Sequence, residues 1–444
     1  MKLIYGIKDK PKFGQMLVFA FQQVLAILAA TITVPTIVGN GMSISAALLG
    51  AGLGTIVYQL FTKFRSPVFL GSSFAFVGPM LAAFSGGVTV GYLGLVLGAI
   101  FAGLVYVIIA LVVKFAGVKW ISKVMPASVI GPTVALIGLS LAGAAINDVF
   151  SYGEKVTFGL SSYFTMNTTA WVSLICAMVT FAVVILCSTY GKKMVKLIPF
   201  IIGILAGYAV ALLFTLLGSD TTKVIDLSVF KDMTLFEVPV FTFTKAIKGL
   251  DEFKVSYLAT VAVAYIPMAF VVFAEHLADH KNLSSIIDED LLENPGLHRT
   301  LLGDGVGSMV GAFFGGCPNT TYGESVGCVA ITKNASVVTI TTAAIICIII
   351  SFFGPFVAFL DSIPGCVMGG VCITLYGFIA VSGLKMIQKV DLNQNKNLFT
   401  VAAILIPGIG GMAMGIGEIY ITTTACALIL GIIVNLALSK AKEE

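Results

Sequence analysis

Glu275 and Asp279 stand four residues apart in VVFAEHLADH, so a helix would put both carboxyl groups on one face. Glu324 lies in CPNTTYGESVG, where small polar residues and glycines interrupt long apolar runs. No Asp or Glu occurs between Asp9 and Asp148. Asp288, Glu289, Asp290 and Glu293 mark one polar loop and Asp391 another. Asp304, Asp361 and Glu418 fall near the expected ends of apolar runs, where contact with water explains them. Asp279 follows some twenty apolar residues and stands equally well as emerging into water with His280 and Lys281; Glu275, one turn deeper, and Glu324 have no such explanation, and acids deep in an apolar span mark substrate or proton paths. A carboxyl group with little water around it is poised to exchange a proton with its surroundings. Gly323, just before Glu324, permits close backbone approach. Carboxylate acceptors beside backbone N–H donors suit a flat, neutral ligand with N–H and C=O groups along its edge, and disfavour a simple anion.

The elements that must hold these residues are membrane spans. The 444 residues are 58% hydrophobic and 11% charged, against about 25% charged in a soluble domain. About fourteen apolar runs follow one another, each long enough to cross a bilayer core of ~30 Å as a helix. The third and tenth are short and broken, at SPVFLGSSFAF and CPNTTYGESVG. Pro67 and Pro318 disfavour helix just before them, and VFL and TTY favour extended backbone. Each broken span reads as a short strand followed by a half-helix, whose first N–H groups lack partners. The opening residues are polar and basic and the apolar run after them is too long for a cleaved signal, so no signal peptide is expected. The eight cysteines lie mostly inside apolar runs and suggest neither disulfides nor a zinc site. The net charge of +4 is scattered over loops and forms no nucleic-acid patch.

Twenty of the 26 Lys and Arg residues fall in loops on one side of this arrangement. An excess of positive charge marks the cytoplasmic side, which places both termini there. PASVIG (126–131) echoes PGCVMG (364–369), and the two broken spans also correspond. A split in the polar segment 219–254 leaves seven spans per half, and an odd number forces the halves into opposite orientation. The expected fold is an all-α polytopic membrane protein: about 14 transmembrane segments as a 7+7 inverted repeat, with two short strands in broken spans 3 and 10.

The stretches GSSFAF (71–76), VIGPTVALIGLSLA (129–142), FAEHLADH (273–280), NPGLHRTLLGDG (294–305) and PNTTYGESVGCVAITK (318–333) carry a resemblance. The chain resembles the nucleobase–ascorbate (nucleobase:cation symporter-2) transporter family, over nearly its whole length, and its uracil-transporting branch in particular. The family signature falls on Glu324, Ser325, Gly327, Thr332 and Lys333, with Glu rather than Gln pointing to the uracil branch. The resemblance implies a core domain of residues 13–114 (spans 1–4) and 254–360 (spans 8–11). It implies a gate domain of residues 115–218 (spans 5–7) and 361–440 (spans 12–14), with elevator-like alternating access. It further implies that Glu275 and Glu324 accept from pyrimidine N–H groups, that the N–H groups of Phe74 and Gly323 donate to its carbonyls, and that Ala30 and Tyr322 line the pocket. Import of uracil by proton symport at the bacterial inner membrane follows, with no cofactor beyond the coupling proton. Dimerisation through the gate domain is the family's habit.

Three departures stand out. The family's Gln-His pair in the first span is Gln22-Gln23, and the signature Asn is Ser325. Where a uracil permease pattern has His one turn after Glu275, this chain has Asp279, with His280 following. Proton coupling therefore rests with Glu275 together with Asp279 or His280. The competing readings are a xanthine or other purine permease of the same family and an anion transporter of the same architecture. A membrane enzyme is not expected, since no nucleophile–base pair, metal cluster or phosphate-binding loop is visible.

Overall fold

Residues 3–117, 120–158, 161–231, 233–416 and 419–440 are described by the computed structural model, and Glu418 lies outside them. Among them, eight helices are long and apolar enough to cross a membrane: Phe13–Val38, Ile44–Phe61, Val88–Ala116, Ala127–Val149, Thr168–Tyr190, Pro199–Leu217, Val255–Ile287 and Gly365–Ile387. Phe74–Gly86, Val337–Ile350, Asn395–Ile409 and Thr423–Ala437 are shorter apolar helices.

The chain forms two units. The second, Gly138–Glu237 with Phe352–Phe378, packs helix 168–190 on helix 199–217. Gly203 and Gly207 face Thr180 at that contact. A hairpin pairs Lys155–Phe158 with Ser161–Phe164.

The first unit comprises Met1–Ile137, Val238–Ser351 and Ile379–Glu444. Its framework is the crossing of helix 44–61 with helix 297–315 (Leu297–Gly315). The two backbones come close because glycines face each other. A Cβ on Gly50 would lie 2.5 Å from the Gly311 carbonyl oxygen, and one on Gly54 would lie 2.7 Å from that of Gly307. Lipid tails supply no hydrophobic drive between helices, so close van der Waals contact between small residues must hold them. Gly50→Val should therefore overpack the crossing by ~1–3 kcal/mol. The expected result is a lowered unfolding midpoint in detergent, read by fluorescence-detected size exclusion after heating; an unchanged midpoint would show the crossing to be loose.

Two interrupted segments lie across this framework. Leu70–Ser72 pairs antiparallel with Asn319–Thr321, in the register Leu70↔Thr321, Gly71↔Thr320, Ser72↔Asn319. The strands sit one or two residues away from the expected VFL and TTY because pairing, not local propensity, decides them. Gly71 is needed in the ladder, since a Cβ there would meet the Tyr322 ring at 2.5 Å.

Backbone that is not helical survives at this depth only if protein groups satisfy it. Here Gln59 Nε2 donates to the carbonyls of Ser66 and Val68 at 2.9 and 3.2 Å. Ser325 Oγ accepts from Phe69 N at 3.2 Å, and Thr55 Oγ1 accepts from Leu70 N at 2.9 Å. Asn319 Nδ2 donates to the Gly50 carbonyl at 2.9 Å, tying the second strand to the helix crossing.

Each strand leads into a half-helix. The first begins with a 3-10 turn, Phe74–Phe76, and continues as Val77–Ala83. The second is Gly323–Thr332. It stops at Lys333, in the left-handed region at φ 56. There the N-terminal segment docks: Ile4 N donates to the Lys333 carbonyl and Ala335 N to that of Tyr5, both at 2.8 Å. Ile7 is buried with Leu70, Val326 and Val329, which anchors both interrupted segments from one side.

Candidate functional site

All eight residues expected at the site belong to the first unit, and most converge on one face. Glu275 and Asp279 are on helix 255–287, and Glu324 is in the first turn of helix 323–332. Glu275 is exposed within this unit, and Asp279, Glu324 and Phe74 are half-buried. The three carboxylates are near enough to act on one another's charge. Thr321 Oγ1, at the end of the second strand, donates to Asp279 Oδ2 at 2.7 Å. The other Asp279 oxygen faces Gly323, 3.8 Å from where a Cβ would stand. Asp279 thus links the long helix to the strand that launches the half-helix.

Tyr322 and Ala30 are buried. Tyr322 does not offer its hydroxyl to the open face: the hydroxyl donates to the Ser72 carbonyl at 2.6 Å, clamping the two strands together. Helix 13–38, which carries Ala30, packs on the second half-helix and the first strand. Phe74 and Gly323 each begin a half-helix turn.

His280 is placed apart from this face. Its ring is buried against helix 44–61, with Nε2 2.7 Å from the Tyr58 hydroxyl and Nδ1 2.9 Å from the His276 carbonyl. His276 is equally buried. Its Nδ1 lies 2.7 Å from Asp304 Oδ2 and its Nε2 3.0 Å from Thr300 Oγ1. Asp304, expected to meet water near a span end, is instead 1% exposed. Helix 297–315 begins only two turns earlier, but helices 44–61 and 88–116 cover it. One signal could have revealed the site: Thr300, Asp304 and Ser308 form a polar stripe at i, i+4, i+8 on a glycine-rich helix.

Among the described residues no three His, Cys, Asp or Glu are arranged to hold a metal ion. The face can instead accept hydrogen bonds at three carboxylates, beside the first turn of helix 323–332. Such a surface fits a compact polar molecule that carries both donors and acceptors.

Known proteins resemble this chain in sequence and in fold. The Xan_ur_permease model, described as "Permease family", matches residues 14–416. The uracil permease of Bacillus caldolyticus is 39% identical over 440 residues, covering 98% of this chain and 95% of that protein. The uracil permease of Bacillus subtilis (strain 168) is 36% identical, covering 100% and 97%. That of Escherichia coli (strain K12) is 34% identical, covering 96% and 92%. Among solved structures, the transmembrane domain of the cyanobacterial bicarbonate transporter BicA is similar, with TM-score 0.61 and 14% identity over 97% of this chain and all of that one. The murine Slc26a9 anion transporter in its inward-facing state is similar too, with TM-score 0.64 and 12% identity over 97% and 69%. At these identities the two structures speak for the fold alone, that of a membrane transporter. The chain is a multi-pass membrane protein, a transporter and not an enzyme, and it belongs to the Xan_ur_permease family of permeases.

Proposed function

We propose that this protein imports uracil by proton symport, with Glu275 and Glu324 accepting from the pyrimidine N–H groups and the Phe74 and Gly323 N–H groups donating to its carbonyls. The observation that carries the reading is the meeting of Glu275, Asp279 and Glu324 beside two strand-led half-helices. Uracil presents two N–H donors and two carbonyl acceptors in one plane, which matches that inventory. Three carboxylates would repel the small anions that the bicarbonate and Slc26a9 anion transporters carry. The uracil permeases of 34–39% identity add to the reading.

The proposed architecture is 7+7 inverted spans, with the core domain at 13–114 and 254–360 and the gate domain at 115–218 and 361–440. Pairing of strands from the two halves supports the inverted repeat. The proton carrier is Glu275 with Asp279; His280 is turned instead to Tyr58 on helix 44–61. The test is uptake of labelled uracil in cells lacking their own permease, with and without a protonophore, against competing thymine, xanthine and hypoxanthine. Accumulation that a protonophore abolishes and xanthine leaves untouched is expected. Competition by xanthine as strong as by uracil would move the substrate to purines.

Both termini are placed in the cytoplasm on the charge asymmetry of the loops. Cysteines at Asn40 and Lys193 should then react with an impermeant maleimide from opposite sides. Labelling of both in intact cells would refute the orientation.

A further inference from the structure

We propose that His276 and Asp304 form a permanently protonated imidazolium–carboxylate pair behind the site, and that one buried water beside it holds the second strand in place. Hydrogen-bond counting leads there. The Thr300 hydroxyl has one proton and donates it to the Leu297 carbonyl at 3.0 Å. With its proton placed there, the hydroxyl accepts from His276, and Nε2 carries a proton. One more proton must lie between His276 Nδ1 and Asp304 Oδ2, 2.7 Å apart. The pair therefore holds one proton more than a neutral imidazole beside a carboxylate.

That proton belongs on the ring. Unperturbed imidazole outcompetes an aspartate for a proton by roughly 2–3 pK units, and at 2.7 Å the ring and the carboxylate neutralise each other as a hydrogen-bonded ion pair. Ser308 Oγ, Thr320 Oγ1 and Tyr106 OH are buried, as is the second carboxylate oxygen, Asp304 Oδ1. Thr320 stands beside both Tyr106 and Asp304, yet none of the four atoms closes a well-formed hydrogen bond within the protein. Four such oxygens suit one water, which takes two to four partners. A cation there would be an uncompensated buried charge, because the pair already cancels its own.

His280 differs. Its Nδ1 donates to the His276 carbonyl and its Nε2 accepts from the Tyr58 hydroxyl, so it is neutral. The two rings stack with centroids 4.0 Å apart. The titratable groups facing the pair are Glu275 and Asp279 on its own helix, Tyr106 on helix 88–116, and His280 with Tyr58.

The pair acts on the site through the strand. Successive strand residues point to opposite faces: Thr320 turns toward Asp304 and Tyr106, Thr321 toward Asp279. Asp304 and Thr320 are thus positioning residues for the half-helix start.

The chain has only three histidines, His276, His280 and His298, so side-chain nitrogen NMR of ¹⁵N-histidine-labelled full-length protein in detergent can resolve them. His276 should show both ring nitrogens protonated from about pH 5.5 to 8.5. His280 should show protonated Nδ1 and bare Nε2 throughout. In Asp304→Asn, His276 should fall to one protonated nitrogen. A bare His276 nitrogen in the wild type, or no change in Asp304→Asn, overturns the pair. Thr320→Val keeps the shape and removes one partner of the water. With the His276 signals intact it should weaken uracil binding on the order of 3- to 10-fold; wild-type affinity overturns the strand link. This binding arm rests on the uracil reading and the NMR arm does not. A wild type that binds no uracil while showing the doubly protonated His276 would refute the substrate and leave the pair standing.

Discussion

Glu324→Gln is expected to weaken uracil binding by tenfold to over a hundredfold while leaving the protein folded. Glu324 is half-buried in the first turn of helix 323–332, beside the Glu275 and Asp279 face. A carboxylate accepts from a substrate N–H in a charge-assisted bond, and losing that charge costs ~1.5–3 kcal/mol. Gln keeps the length and one acceptor oxygen, and it also relieves the repulsion among the three acids. The loss of affinity would therefore come with equal or greater thermal stability, which separates it from misfolding. A scintillation proximity assay in detergent reads the affinity and a melting curve reads the stability. Binding as in the wild type would remove Glu324 from the site.

Asp279→Asn should retain uracil binding and counterflow exchange but lose uphill accumulation driven by a pH gradient. Two carboxyl groups one helical turn apart repel when both are ionised, so one should hold a proton and the two should titrate as a unit. The structure adds a second task for Asp279, the bond from Thr321 at 2.7 Å. Asn keeps that bond through its carbonyl oxygen, so the strand end stays in place and only titration is lost. Asp279→Ala removes both, and binding should fall as well. Proteoliposomes with an imposed proton gradient make the measurement. Accumulation by Asp279→Asn equal to the wild type would confine Asp279 to its bond with Thr321 and leave Glu275 as the proton carrier.

Much of this was readable in the chain because lipid imposes a simple rule. Backbone in hydrocarbon must be helical unless protein satisfies it, so apolar length alone located helices beginning at Phe13, Ile44 and Val88. The breaks at Pro67 and Pro318 were legible for the same reason, since proline before a glycine-rich stretch cannot continue a helix. Partners were not legible. Nothing local in Gln59 or Ser325 announces that its side chain will satisfy the backbone of Ser66–Phe69. Nearness to a span end suggests exposure for Asp304, whereas the neighbouring helices 44–61 and 88–116 bury it. The Met414–Ile416 and Ile419–Ile421 hairpin is not legible either, for its residues read equally well as the start of an apolar helix.

The clamp from Tyr322 to Ser72 joins residues 250 positions apart, and that separation bears on biogenesis. While the ribosome is still making the second half, the first strand is already in the bilayer with no ladder partner. A long-range pairing closes late, and unsatisfied backbone in hydrocarbon costs several kcal/mol per group. The nascent first half carries its own provisional partners: Thr55 Oγ1 takes Leu70 N, and Gln59 takes the Ser66 and Val68 carbonyls, all from the helix made just before. The half-built site can therefore wait in the membrane, stitched to helix 44–61, until Asn319–Thr321 emerges to complete it.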